Sequence, residues 1–332
     1  MRSPFGFLVL FGALALPFAT VALPGTGEPS PVLSRAKGRG LIRCGGVERP
    51  GLAELGEKGQ PAGLEVDLCR AVATALLGSP DRIAFRLYAT PADFEGVRRQ
   101  DDDVFFLSGS EIALGALAGF VLPLEPVFLE SHAVMVAAGS PYRSVADLAG
   151  HGICFLIGSP SGRSLEAYFD GLHRTFLRHP YSEEGEMDDA YAVQRCHGLA
   201  GERTSLAKTR LSPGVNGLKS RILPQPLATY PILAATGTSD GRFAALVAWT
   251  IHTLVSAERP ETRWYAGGAG AMPLPGEQLG LDSGWQRRVL ATVGTYRDIF
   301  DRNLGMASPL KLERGLNANE LEAGLLIGPF VD

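Results

Sequence analysis

The chain has 332 residues, a length that suggests about two domains, and its composition of 45% hydrophobic and 20% charged residues supports a sizeable core. A formal net charge of −4 argues against nucleic acid and against an anionic membrane surface as partner. The 41 glycines and 23 prolines are scattered at turns, with no low-complexity tract and no internal repeat.

Residues 1–22 read as a targeting segment. Arg2 supplies a positive end, Phe5 to Leu16 an apolar run, and Thr20-Val-Ala22 a small-residue cleavage site. The run is too short for a confident membrane span, although an uncleaved anchor is the rival reading. No cysteine follows the cleavage site, which argues against a bacterial lipid anchor. The expectation is a soluble exported protein, best placed in a periplasm. Residues 23–36, rich in Pro, Gly and Ser, are expected to form a flexible arm.

Gly40 to Val47 reads as a short buried strand ending in glycines, and Ile83 to Tyr88 alternates like a second. Between them Val66, Cys69, Val72, Ala73, Leu76 and Leu77 fall on one helical stripe. Glu65 and Asp67 sit in its first turn, where carboxylates meet the positive end of the peptide dipole, and Gly78 and Pro80 stop it. The unit is strand, loop, helix, strand, the start of a parallel α/β sheet. Ala92–Gln100 can form a short helix. Asp101-Asp-Asp103 reads as a solvated turn, because a calcium loop needs further oxygens at regular spacing. Val104–Ser108 is a buried strand leading into Gly109-Ser-Glu111.

Phe128–Ala138 is expected to cross between lobes, since a new unit opens at Ser140-Pro141 with a helix at Ser144–Leu148 and a strand at 152–157. Gly158-Ser-Pro-Ser-Gly162 then precedes a helix expected over Ser164–His173. Such a loop offers free N–H groups to an anion, though many merely cap a helix. Glu183 to Asp189 is a solvated helix start, completed from Tyr191 to Cys196. Leu223–Ala234, limited by Pro224, Pro226 and Pro231, is the return crossover. Phe243 to Leu254 forms an amphipathic helix capped by Ser239, with His252 on the surface. Another helix is expected from Trp285 to Asp301. Four cysteines permit three pairings, and spacing favours Cys44–Cys69 and Cys154–Cys196. No metal-ligand spacing accompanies them.

The order Gly63-Leu-Glu-Val-Asp-Leu-Cys-Arg-Ala-Val-Ala73 resembles the signature of family-3 bacterial solute-binding proteins. Pro50-Gly51, Glu57-Lys-Gly59, Ser239–Glu258, Asp301-Arg-Asn-Leu-Gly305, Ser308–Lys311 and Arg314–Asn317 are similar to its general L-amino-acid-binding branch. The resemblance covers nearly all of the mature chain. It implies a type II periplasmic binding protein of α/β class, with two lobes joined by two crossover strands. Residues 37–135 with 233–332 would form lobe 1 and residues 136–232 lobe 2, the end of the chain packing back on lobe 1.

The same resemblance implies that the loop with Ser159, Ser161 and Arg163 meets a ligand carboxylate, although Pro160 and Gly162 depart from the family's consecutive threonines. Glu202 stands where the family has an ammonium-holding aspartate, and an exposed loop glutamate is the competing reading. An amino-acid-binding relative also needs an arginine shortly after the strand at Val104–Ser108, because a planar fork takes both carboxylate oxygens. No Arg or Lys occurs from Gln100 to Tyr142, and residues 112–122 are apolar. Leu52 and Ala53 replace an aromatic and a serine that usually cover the ligand. The expected ligand contacts are Arg49, Leu52, Ser108, Ser110, Glu111, Ser159, Ser161, Arg163 and Glu202.

Two binding roles follow. One is the solute receptor of an ABC importer, a monomer delivering a small polar solute, not necessarily a standard α-amino acid, to a membrane permease. The alternative is a degenerate binding fold acting as an accessory to another periplasmic protein, such as a quinoprotein dehydrogenase, with apolar side chains in its cleft. Catalysis would rest on Glu111 and Glu202, the only acid–base candidates placed in the cleft. With no nucleophile at interpretable spacing, an enzyme is not expected. No cofactor or metal is implied.

Overall fold

The computed structural model describes residues 30–89, 93–259 and 276–329. The expected signal segment and the first part of the expected arm lie outside them. The rest of the arm is ordered, which corrects the expectation of a loose segment. Ser30 caps helix α1 (Pro31–Arg39), whose Val32, Leu33 and Ala36 are buried. A proline is harmless at the first helical position, where its missing N–H has no partner to lose. Asp240 docks the helix by accepting from Ser30 Oγ at 2.7 Å and Val32 N at 2.9 Å.

Strand β1 (Ile42–Val47) leads through a small ribbon, β2 (Glu54–Leu55) and β3 (Pro61–Ala62), into α2 (Leu64–Leu77) and β4 (Ile83–Tyr88). β1 and β4 pair in parallel, as expected. The helix stops at Gly78, whose φ of 76° is left-handed and favours glycine. Next come α3 (Phe94–Arg98), β5 (Val104–Ser108), α4 (Gly109–Leu114) and the long β6 (Val121–Ala137). The three acids 101–103 are not a solvated turn. Asp102 accepts from the Tyr88 hydroxyl at 2.7 Å, Asp103 from Arg43 N at 2.9 Å and from Arg39, and both are buried.

A 3₁₀ turn at Val145–Leu148 opens the middle of the chain. It continues through β7 (Gly152–Leu156), α5 (Pro160–Gly171), β8 (Leu177–Tyr181), α6 (Glu184–Ala192), β9 (Gly198–Glu202), α7 (Arg203–Thr209), α8 (Pro213–Asn216) and β10 (Ser220–Ile222). The chain returns on β11 (Ala228–Gly237), beyond two of the prolines expected within it, and ends with α9 (Gly241–Ser256), α10 (Trp285–Val293) and α11 (Tyr296–Asn303). Asp240, not Ser239, caps α9 through Phe243 N at 2.9 Å. The single helix expected over Trp285–Asp301 is two. Gly294 takes φ 82°, and Thr295 with Asp298 forms a capping box that starts the second. His252 is half-buried beside Trp249 and lies 3.4 Å from Glu125, rather than on the surface.

One mixed sheet runs through the described residues in the order β4-β1-β5-β11-β6-β9-β7-β8, with β10 also on β6. β1, β4 and β5 are parallel, as are β7, β8 and β9. The antiparallel pair β6 and β11 joins these two halves. Each half is a lobe, and β6 and β11 are the two crossovers. Ile42, Phe106, Leu246, Trp285 and Phe300 belong to one core of the first lobe, and Tyr88, Phe105 and Leu117 to a second. Phe155 and Phe169, then Met187, Tyr191 and Leu199, belong to the two cores of the other. Both disulfides form as expected, Cys44–Cys69 and Cys154–Cys196, with Cα separations of 6.3 and 5.7 Å.

Two stretches of the resembled signature meet here. Asp67 of α2 accepts from Arg302 Nε at 2.7 Å and Asn303 Nδ2 at 2.8 Å. The chain's later part is thereby fastened to the first lobe through a buried carboxylate.

Candidate functional site

Charged side chains from both lobes converge beside the crossovers. Gly45 and Gly46, near the end of β1, carry no side chains, and a Cβ on Gly46 would lie 2.1 Å from Glu65 Oε2. That space lets the carboxylate of Glu65, in the first turn of α2, be wholly buried. Arg49, on the loop after β1 and 5% exposed, faces it at 3.9 Å and makes an ion pair with Glu111 Oε1. Glu111 is fixed from its other side by a capping box. Ser108 N donates to its Oε2 at 2.7 Å, and Glu111 N donates to Ser108 Oγ at 3.2 Å. Ser110 is exposed, with its hydroxyl 2.9 Å from that of Ser108.

The crossovers supply Glu130 and His132 on β6 and Tyr230 on β11. Glu130 accepts from Thr204 Oγ1 at 2.5 Å and Ser131 N at 2.8 Å and is fully buried. His132 is 6% exposed; its Nδ1 lies 2.8 Å from Ser164 Oγ, while its buried Nε2 has no partner among the described residues. Glu202 sits opposite His132 in the β6–β9 ladder and accepts from the Tyr230 hydroxyl at 2.5 Å.

The loop after β7 is partly helix. Pro160 takes the first position of α5, and Ser159 is its cap, accepting from Gly162 N at 3.0 Å. The Ser161 hydroxyl lies 3.2 Å from that of Ser159, and exposed Arg163 donates to Gly158 O at 2.6 Å. A pocket of about 250 Å³ opens on this side of the crossovers, lined by Ser159, Ser161, Glu184, Asp188, Glu202 and Thr209 among others. A neighbouring cavity lies between the lobes, where Lys208 Nζ reaches Glu54 Oε2 at 3.1 Å.

Of the expected ligand contacts, Ser159, Ser161 and Glu202 line this pocket. Arg49, Ser108 and Glu111 form the adjoining cluster on the first lobe. Leu52 does not face a cleft: it is wholly buried in the first lobe's core, held there by backbone bonds from Leu52 N to Arg49 O and from Glu65 N to Leu52 O. The apolar run 112–122 does not line the pocket either. Leu117 and Val121 pack in a core, while Leu114 and Phe120 are exposed. Glu65, Glu130, His132, Tyr230 and Asp188 were not singled out as contacts from the sequence. The usable signal was Glu130-Ser-His132 inside an otherwise apolar strand, where polar groups persist only with partners.

Burial shapes the titration of the cluster. It pushes Glu65 up to about 8, against the pull of Arg49, and Glu130 up to about 7, with Glu202 adding to the rise. Asp188 is pushed up to about 6 for the same reason, and His132 is lowered. Burial also opposes the charge of Arg49, but Glu111, Glu65 and Glu202 outweigh it and raise its pKa. Glu65 and Glu130 therefore keep protons that the unfolded chain has already released above its ordinary carboxylate range. Their contribution to stability is complete below that range and is lost as pH rises through about 7 to 8. The urea midpoint should accordingly fall between pH 6 and pH 8.5, roughly spanning these values. Glu65→Gln, which mimics the protonated form, should flatten the slope; an unchanged slope in that variant would assign the effect elsewhere.

No protein-family model matches the chain. The general L-amino-acid-binding periplasmic protein of Rhizobium johnstonii is 27% identical over 336 residues, covering 96% of this chain and 97% of the relative. The chain resembles this branch of the family-3 solute-binding proteins from end to end. A glutamate/glutamine/aspartate/asparagine-binding protein of Rhodobacter capsulatus is 26% identical over 96% of this chain and 97% of its own. Among solved structures, an ABC-transporter periplasmic binding protein from Brucella ovis with glutathione bound superposes with a TM-score of 0.71 at 27% identity. The match covers 89% of this chain and 98% of that one. The fold is that of the type II periplasmic binding proteins.

Proposed function

We propose that the protein is the periplasmic solute-binding component of an ABC importer, which takes a small polar solute between two closing lobes. The convergence of charged and hydroxyl side chains from both lobes at the crossovers carries this reading, because a cleft of this kind traps a ligand when it closes. Similarity along nearly the whole chain to amino-acid-binding proteins, and to a glutathione-bound binding protein, supports it. In this reading the lobes comprise 37–135 with 233–332, and 136–232. Residues 1–22 direct export and are removed near Ala22. The mature monomer binds its solute without catalysis and docks on a membrane permease. Ser159, Ser161, Arg163 and Glu202 approach the solute from one lobe and Arg49, Ser108, Ser110 and Glu111 from the other. An accessory role beside another periplasmic protein has no counterpart among these relatives.

Thermal unfolding of the mature protein against amino acids, amines, carboxylates, glutathione and sugars tests the reading. A solute at a hundredfold above its dissociation constant should add about 2.7 kcal/mol. Silence across the whole panel would remove the receptor role.

A further inference from the structure

We propose that the cleft selects a solute carrying two or more positive charges, an amine or guanidine compound, and does not require a carboxylate on it. The inference rests on the receptor reading and narrows its ligand.

A ligand carboxylate finds its natural receivers largely engaged. The buried Arg49 guanidinium is paired with Glu111 and lies 3.9 Å from Glu65, and its Nη1 lacks a hydrogen-bond partner among the described residues. A ligand carboxylate at that nitrogen would sit beside half-buried Glu111 and wholly buried Glu65. Arg163 is exposed and donates to the Gly158 carbonyl, and Lys208 is paired with Glu54. No Arg or Lys occurs between Gln100 and Tyr142 to replace them.

Acceptors, by contrast, lie open. The pocket beside the crossovers is lined by Glu184, Asp188 and Glu202 with four hydroxyls, from Ser159, Ser161, Ser205 and Thr209, and among the described residues no basic side chain lines it. Tyr230 occupies Glu202 Oε1, and among the described residues no donor reaches Oε2. Thr209 reaches Asp188 only at 3.3 Å.

His132 is an independent pointer to a ligand donor. Burial favours its neutral ring, and a tautomer with the proton on Nδ1 donates to Ser164 Oγ. Its buried Nε2, on the residue opposite Glu202 in the β6–β9 ladder, has no partner among the described residues and is then an acceptor free for an N–H. An ammonium brings three donors and a guanidinium five, and neither brings an acceptor. Glu202 and His132 would take one cationic group, and Asp188 with Glu184 a second.

Agmatine, which is arginine without its carboxylate, separates the possibilities in calorimetric titrations of the mature protein beside arginine, spermidine, glutamate and glutathione. Agmatine and spermidine should bind, agmatine at least as tightly as arginine. Glu202→Gln and Asp188→Asn should each weaken binding by about tenfold or more. Asp188 is half-buried with Thr209 as its hydrogen-bond donor, and it carries the test if the Glu202 variant folds poorly. Arginine binding more than about tenfold tighter than agmatine would overturn the proposal by revealing a carboxylate receiver. Binding of glutamate or glutathione with silence from the amines would overturn it while leaving the receptor reading intact. Silence from all five and from the wider solute panel would overturn both.

Discussion

Arg49→Ala is expected to lower the free energy of unfolding by about 3–5 kcal/mol, the range for removing one partner of a buried ion pair. The arginine is the only cation paired with Glu65 and Glu111 among the described residues, and it is itself almost inaccessible. Without it, Glu65 stays buried with neither oxygen hydrogen-bonded, and it either holds its proton to still higher pH or draws in water. The loss should therefore be greater at pH 8.5 than at pH 5.5, because protonation relieves the uncompensated charge. Adding Glu111→Gln to Arg49→Ala should recover part of the loss, and a double-mutant cycle in urea measures how much. A loss below about 1 kcal/mol would mean that the triad is solvated and contributes as surface pairs do.

Removing Cys154–Cys196 is expected to cost about 4 kcal/mol, slightly more than the roughly 3.5 kcal/mol for Cys44–Cys69. The first closes a separation of 42 residues and the second 25, so the unfolded chain gains more freedom from loss of the first. The packing points the same way. Cys154–Cys196 lies within a small core with Met187, Tyr191 and Leu199, whereas Cys44–Cys69 is embedded in the largest core of the molecule. Calorimetry of Cys154→Ala/Cys196→Ala should show the second lobe melting earlier, as a separate transition. A single transition at the native temperature would show that packing alone holds that lobe. Both bonds suit an oxidising compartment, in keeping with the export proposed above.

The first lobe's sheet was legible because its strands are bracketed by unambiguous chemistry. The Gly63–Gly78 stretch carries a helical stripe, acids in its first turn and a left-handed glycine stop, and Ile83–Tyr88 and Val104–Ser108 form strands with the bounds their apolar patterns predict. Boundaries slipped where a local signal was ambiguous. Pro31 and Pro160 stand at first helical positions, inside the stretch expected to be a flexible arm and ahead of the helix start expected at Ser164, and the apolar stripe of 285–301 ran through Gly294 without disclosing the break there.

The sequence by itself determined the α/β class, favoured the cysteine pairs that form, and showed that no Arg or Lys occurs from 101 to 141. Each follows from local periodicity, spacing or composition, which need no knowledge of distant contacts; that an amino-acid receptor needs an arginine there is what the family resemblance implies. Only the tertiary structure decided that Arg49 belongs to Glu111, sixty-two positions away, and that Asp101–Asp103 is largely buried beside Tyr88 and Arg39. It likewise brought His132 and Tyr230 to Glu202. A charged side chain reads the same in sequence whether solvated or buried. Its partner, and with it the cost or gain of its charge, is set by which strands become neighbours in the sheet.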